Sequence, residues 1–384
     1  MNYAIPIREY GLVFATAVAV TFLITGVVRI FARRVGAVTP IRERDVHSVP
    51  TPRMGGVAVY LGVAAAILMA YKLPALSAAF VSNTEILGVL VAGGVICFVG
   101  VLDDRFDLSA ITKLAGQVLA AGLLVLFGVQ WLFFRVPTGP GGGDGNIYVL
   151  GREQQVILTV LLAVLLVNAM NFIDGLDGLL AGVALITALA SFVFSSHVLS
   201  VSGNNGLAQP PLIAAALAGA CLGFLPHNFY PAKIFMGDSG AMFIGVTMAA
   251  AITSTAGKID PSTYPLGTRS SIALVAPLLV ALALVLIPLL DFFLAVIRRT
   301  RAGRSPMSAD RQHLHHRMLQ LGHTHRGAVL IFYLWALVVA GGAVAIGYFR
   351  WQLVLGPWAV GVLTALALSL NPWFRALRLK RLRD

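Results

Sequence analysis

The chain has 384 residues, 58% of them hydrophobic and 11% charged, with a formal net charge of +12 and a mean hydropathy of +0.86. That balance excludes a soluble globular domain, whose core needs no repeated apolar runs of about 20 residues, the length that crosses a bilayer as helix. The two cysteines, Cys97 and Cys221, both lie inside apolar runs, which argues against a disulfide framework or a cysteine zinc site.

Apolar runs fall at about residues 10–31, 55–72, 86–102, 111–134, 156–172, 178–199, 210–226, 239–256, 270–297, 328–348 and 352–371. About eleven spans are therefore expected, in an all-α, polytopic membrane protein forming a single transmembrane domain over 1–384. The first run ends in Arg29, Arg33 and Arg34 with no small-residue cleavage site, and reads as a retained span. The long run from 270 to 297 has room to tilt or to break at Pro288. An odd number of spans places the termini on opposite sides and sorts the loops into two sets. One set comprises the loops at about 32–54, 103–113, 173–177, 227–238 and 298–327 and the tail 372–384. The other contains only Arg8, Lys72, Arg135, Arg152, Lys258, Arg269 and Arg350 as cations, and the first set exceeds it by about three to one. The positive-inside rule puts the rich set in the cytoplasm, with the N-terminus out and the C-terminus in. Anionic inner-leaflet lipids attract such juxtamembrane cations, so the net charge needs no nucleic-acid partner.

The polar clusters fall on that same cytoplasmic set: HSVPTPRMGG (47–56), LDDRFDLSAITK (102–113), NAMNFIDGLDG (168–178), PHNFYPAKIFMGDSG (226–240) and ADRQHLHHR (309–317). The outer loops hold PTGPGGGDGN (137–146) and SVSGNNGLAQPP (200–211), read as flexible connectors. The five clusters are expected to converge on one cytoplasm-facing site. Within NAMNFIDGLDGLL, Asn168, Asn171, Asp174 and Asp177 recur every three residues, which on a continuous helix keeps them on adjoining positions of one face. The alternative is a helix end followed by a turn at Gly175 and Gly178. A carboxylate at membrane depth demands water, a cation or a partner, so this stretch asks for a ligand.

Asp103 and Asp104 are adjacent and on a helix point about 100° apart, so one can bind while the other orients. With Asp174, Asp177 and Asp238 they crowd carboxylates whose pKa values rise unless a cation neutralises them. An Asp/Asn set without cysteine suits a hard divalent ion, magnesium first and manganese as its substitute. Magnesium takes one or two carboxylates and completes its shell with water and phosphate, so a phosphate-bearing substrate is expected. Glycines around Asp238, and Gly55 and Gly56 after Arg53, permit backbone N–H groups to approach an anion. His313, His315, His316 and Arg317 offer donors for a diphosphate, and a zinc site is the other reading of the histidines. Pro50, Thr51 and Pro52 read as a stiff turn, and Arg53 as the functional residue there.

In this order and on these loops, LDDRFDLSAITK, NAMNFIDGLDG, NFYPAKIFMGDSG and QHLHHR resemble the polyprenyl-phosphate N-acetylhexosamine-1-phosphate transferase family, over about residues 29 to 330. The resemblance implies a multi-span enzyme of the cytoplasmic membrane that moves a sugar-1-phosphate from a UDP-sugar to a polyprenyl phosphate with magnesium, releasing UMP. TPRMGG and QHLHH differ from the TPTMGG and PIHHH patterns of the phospho-MurNAc-pentapeptide branch, and favour the N-acetylglucosamine-1-phosphate branch. RERDVHSVPTPRMGG and RRTRAGRSPMSADRQHLHHR resemble actinobacterial members, whose acceptor is decaprenyl phosphate and whose product begins the arabinogalactan linkage unit. Carried over, the resemblance implies Asp238 as a magnesium ligand, with Asn228 beside it holding metal or diphosphate. It implies Asp103 and Asp104 at the acceptor phosphate and metal, with Asp103 the candidate base. Asp174 and Asp177 fall near nucleotide and metal, Phe235 under uracil, the histidine loop on the diphosphate and Lys113 at the lipid phosphate. Asn168, Asn171 and Arg53 complete the expected substrate-binding set, and a homodimer is compatible with the family.

Three other readings compete. The muropeptide branch is the nearest. A transporter places its carboxylates at the bilayer midplane, whereas these sit at span ends on one side. A lipid-binding scaffold uses only the basic loops and leaves the aspartates unexplained. Either direct attack by the lipid phosphate or a covalent phospho-sugar on an aspartate is compatible with these residues.

Overall fold

A computed structural model describes residues 4–39, 50–81, 84–136, 146–203, 207–257, parts of 285–303, 314–349 and 351–381. In chain order the helices are α1 (Ile7–Arg34), α2 (Gly55–Ala70), α3 (Ala78–Val81), α4 (Glu85–Phe106), α5 (Ala110–Leu126), α6 (Arg152–Ile173), α7 (Leu179–Ser202), α8 (Gln209–Asn228), α9 (Gly237–Ala256), α10 (Leu314–Gln320), α11 (His325–Tyr348) and α12 (Trp351–Arg381). Two short antiparallel pairs join them: β1 (Val38–Thr39) with β2 (Thr51–Pro52), and β3 (Phe133–Val136) with β4 (Asn146–Val149). Helices α1, α4, α6, α7, α8, α11 and the first part of α12 are long and apolar enough to cross a membrane, and α2 and α5 are shorter apolar helices. The all-α, multi-pass architecture expected from the apolar runs is the one observed.

Helix α9 is the axis of the bundle. Its side chains from Ser239 to Thr255 are all buried, and α2, α4, α6 and α8 pack around it. A helix ringed by protein need not be strongly apolar, because neighbouring helices satisfy its polar groups; Thr247 and Thr255 also bond back to Phe243 and Ala251 carbonyls. The outer helices instead show apolar side chains to their surroundings, Leu23 and Val27 on α1 and Leu119 on α5 among them, as lipid-facing residues do.

Small residues set the helix spacing. A Cβ at Gly56 would lie 2.0 Å from the Gly240 nitrogen, and one at Gly100 would lie 2.3 Å from the Ser239 Cα, so α2 and α4 cross the start of α9 backbone against backbone. Gly223 of α8 meets the Val18 carbonyl of α1 in the same way, at 2.3 Å.

The run expected at 111–134 is not helical throughout. Helix α5 ends at Leu126, where Gly128 takes φ +95° and the Phe127 and Val129 N–H groups close onto the carbonyls of Leu123 and Leu124. The chain then enters the β3–β4 hairpin, which apolar periodicity did not signal. Most of the 270–297 run and the connector 137–145 fall outside the described residues.

Candidate active site

The site grows from the elbow between α4 and α5. Asp107 adopts a left-handed conformation (φ 48°) and donates its N–H to the Asp103 carbonyl, ending α4. Two residues later Ser109 caps α5 by accepting the Thr112 N–H. This tight reversal lays Lys113 back over the end of α4. Its Nζ lies 2.6 Å from Asp103 Oδ2 and 2.8 Å from Asp238 Oδ2, and Asp103 Oδ1 accepts the Leu108 N–H at 2.8 Å. Asp104 points elsewhere, as its step around the helix requires. Its two oxygens accept the N–H groups of Asp238 (3.0 Å) and Ser239 (3.3 Å) at the start of α9, a favourable end of a helix for a carboxylate. Gly237 (φ +72°) makes that approach feasible, since a Cβ there would lie 2.5 Å from Asp104 Oδ2.

The stretch 168–178 is not one helical face. Helix α6 stops at Ile173, Asp174 is its C-cap, and Gly178 (φ +79°) begins α7, so the glycine-turn alternative describes the backbone and the continuous-helix expectation is corrected. The chain leaves helical geometry at Asp174 and re-enters it at Gly178, whose left-handed backbone a glycine adopts without strain. Only Asn168 and Asn171 share the α6 face. Asn168 donates to Gln117 Oε1 at 2.7 Å and to the Val164 carbonyl, while the Asn171 amide lies near the Asp238 carboxylate. Burial pushes the Asp174 carboxyl up to about 8, reinforced by the charges of Asp238 and Asp104 and opposed by Arg53. Asp177 is buried and turned toward the 229–236 loop, its Oδ2 accepting the Ala232 N–H at 2.9 Å. Asn228 bridges the same two segments: its Oδ1 accepts the Gly178 N–H and its Nδ2 donates to the Ile234 carbonyl, both at 3.0 Å.

The TPRMGG segment is laced to this loop. Gly55 and Gly56 donate to the carbonyls of Phe235 and Met236, and Phe235 donates to the Pro52 carbonyl. Arg53 Nε bonds Thr39 Oγ1 at 2.7 Å, and Phe235 is half-buried. The expected convergence of the clusters is thus visible for those at 50–56, 102–113, 168–178 and 226–240. His313 and the side chains of His315 and His316 lie outside the described residues; Arg317 is exposed on α10.

Sequence reasoning missed three neighbours of the site. His325, the first residue of α11, accepts the Asp177 N–H through Nε2 at 3.0 Å and stacks on Tyr230. Tyr333, two turns along α11, donates its hydroxyl to the Gly178 carbonyl. Arg299 is buried with its guanidinium over the Phe172 ring. A signal for the first existed in GHTHRG (322–327), where Thr324 heads an apolar run as a helix cap.

Among the described residues no three His, Cys, Asp or Glu side chains form a ready-made metal cluster. The donors present at Asp238, Asp103 and Asp174 are all oxygens, and a hard divalent ion that takes only one or two carboxylates fits them. Asp238, with its side chain 22% exposed, and Lys113, 28% exposed, form the accessible part of the set. What fold and site together define is a multi-pass helical membrane protein that gathers carboxylates and a lysine at one end of its bundle.

Residues 86–256 match the model of glycosyl transferase family 4. The chain is 51% identical over 375 residues to decaprenyl-phosphate N-acetylglucosaminephosphotransferase of Mycolicibacterium smegmatis, covering 97% of this chain and 90% of that protein. It is 53% identical over 347 residues to the protein of the same description from Mycobacterium tuberculosis, covering 90% and 84%. Its identity to undecaprenyl-phosphate alpha-N-acetylglucosaminyl 1-phosphate transferase of Escherichia coli K12 is 31% over 365 residues, covering 91% and 87%. The chain belongs to glycosyl transferase family 4, as a membrane-embedded transferase.

Proposed function

We propose that this protein transfers N-acetylglucosamine-1-phosphate from UDP-N-acetylglucosamine to decaprenyl phosphate, releasing UMP, at the cytoplasmic face of the plasma membrane. The product is the first lipid-linked intermediate of a wall polymer, the arabinogalactan linkage unit. The observation that carries the reading is the 51% identity to an enzyme of that description over nearly the whole chain, joined to the meeting of Asp103, Lys113 and Asp238 where two anionic substrates have to be neutralised.

Magnesium supplies charge neutralisation at the diphosphate when bound. Asp238 would hold it, while Asp104, with both oxygens on the α9 backbone, places Asp238. Asn228 stiffens the loop behind Asp238, and Asp177 does the same from the other side. Lys113 holds its charge at the mouth of the site, placed to meet the acceptor phosphate. That phosphate has a second pKa near 6 and is largely dianionic at pH 7, so it attacks the sugar-linked phosphorus with positioning and neutralisation as the main demands on the protein. Asp103, tied to Lys113 and Leu108, is oriented to take a residual proton. Arg53 is a counter-charge close to Asp174, on the side expected to receive the nucleotide.

The test is UMP release by detergent-purified protein given decaprenyl phosphate, magnesium and either UDP-N-acetylglucosamine or UDP-MurNAc-pentapeptide. Turnover with the first donor alone, lost with EDTA and reduced at least about a hundredfold by Asp238→Asn, is the expected result. Turnover with the muropeptide alone moves the protein to the other branch.

A further inference from the structure

We infer that His325 is a positioning residue of the catalytic site, holding the Asp174–Asp177 turn in register through the Asp177 N–H; the catalytic part of this inference rests on the function proposed above. The Asp177–Gly178 turn is gripped by groups distant in sequence. His325 Nε2 accepts the Asp177 N–H at 3.0 Å, Asn228 Oδ1 accepts the Gly178 N–H at 3.0 Å, and the Tyr333 hydroxyl donates to the Gly178 carbonyl. Two of these three grips come from α11. The His325 ring is itself fixed: it is buried and lies on the Tyr230 ring with centroids 4.4 Å apart and planes 24° from parallel. Arg326 also holds Tyr230, donating to its carbonyl at 3.0 Å.

The consequence concerns Asp174, three residues before Asp177. Its carboxyl feels the charges of Asp238, Asp104 and Arg53, and the turn is tied to the loop that leads to Asp238 by Asn228, which accepts the Gly178 N–H, and by Asp177, whose Oδ2 accepts the Ala232 N–H at 2.9 Å. Helix α11 also follows α10, which carries His315, His316 and Arg317, after only four residues, Leu321–Thr324. His325 therefore joins the helix that bears the expected diphosphate-binding side chains to the turn that bears Asp174. Loss of a buried hydrogen-bond acceptor strands the Asp177 N–H, and displacement of catalytic groups by about 1 Å can lower turnover about a hundredfold.

Two variants separate the acceptor from the ring. His325→Phe keeps an aromatic face on Tyr230 and removes the acceptor; His325→Gln removes the ring and returns an oxygen near the position of Nε2. Hydrogen exchange of the full-length protein in detergent, read on peptides covering residues 174–180, is the first measurement. The Phe variant is expected to lose protection there and the Gln variant to retain it. UMP release is the second: kcat falls at least about tenfold in the Phe variant, with KM for either substrate within about threefold of wild type, and the Gln variant recovers most of the loss. Unchanged protection in the Phe variant, or equal impairment of both variants, overturns the proposal. So does a Phe variant that fails to accumulate in the membrane, since His325 is then a folding residue. Wild-type protein that releases no UMP refutes the proposed reaction instead, and the exchange measurement still decides whether His325 holds the turn.

Discussion

Asp103 and Asp104 sit side by side in the chain and do different work, because one step along a helix turns a side chain by about 100°. Asp103 faces Lys113, and Asp104 faces the first N–H groups of α9. This division was readable from adjacency alone; which residue took which part was not, since it depends on where α9 crosses. Asp174 yields a pH prediction. Its carboxyl is pushed up to about 8, so the folded protein holds a proton that the unfolded chain releases near the ordinary value of 3.8. The native state thus binds more protons between those values, and stability falls as pH rises through the window. The melting temperature of divalent-free protein should decline from about pH 4 to about pH 8 and level off beyond, and Asp174→Asn should reduce that slope.

At the scale of elements, the decisive contact is the crossing of α2 and α4 over the start of α9. No side chain separates the backbones at Gly56 and Gly100, so neither neighbour can yield by changing a rotamer. Gly56→Ala and Gly100→Ala should each destabilise the protein by about 1–3 kcal/mol or more, the range for overpacked sites. Because Ser239 and Gly240 follow Asp238 directly, each should also lower UMP release by more than its effect on melting temperature. Ala at Gly122, where a Cβ meets nothing within 4 Å, is the control and should leave both unchanged. Gly55 and Gly56 were visible in MGG and were expected to turn their N–H groups to an anion; the close approach of Gly100 to α9 was not read from the sequence. Gly55 and Gly56 do turn their N–H groups toward a carbonyl partner, but that partner is the 235–236 loop. The early end of α5 escaped the apolar pattern for a related reason. Hydrophobicity measures burial or lipid contact, and the Gly128 turn and the β3–β4 hairpin stay apolar without remaining helical.

For the whole molecule, the loop charges predict that the end carrying Asp103, Asp174 and Asp238 faces the cytoplasm. Both native cysteines are buried, which leaves a low background for thiol labelling. A membrane-impermeant maleimide applied from outside intact cells should label Lys72→Cys and spare Lys233→Cys, both at exposed positions at opposite ends of the bundle; the reverse pattern inverts the orientation. Much of the architecture was already determined by the sequence itself: repeated 20-residue apolar runs admit only a helical bundle in a bilayer, and polar clusters at span ends on one side had to share a surface. What only the tertiary structure decided is who touches whom within that surface. Lys113 meets Asp238, Asn228 meets Gly178, and His325 meets Asp177 across separations of 125, 50 and 148 residues. Such pairings depend on helix crossings fixed by backbone-to-backbone approach at small residues, and no local periodicity encodes them.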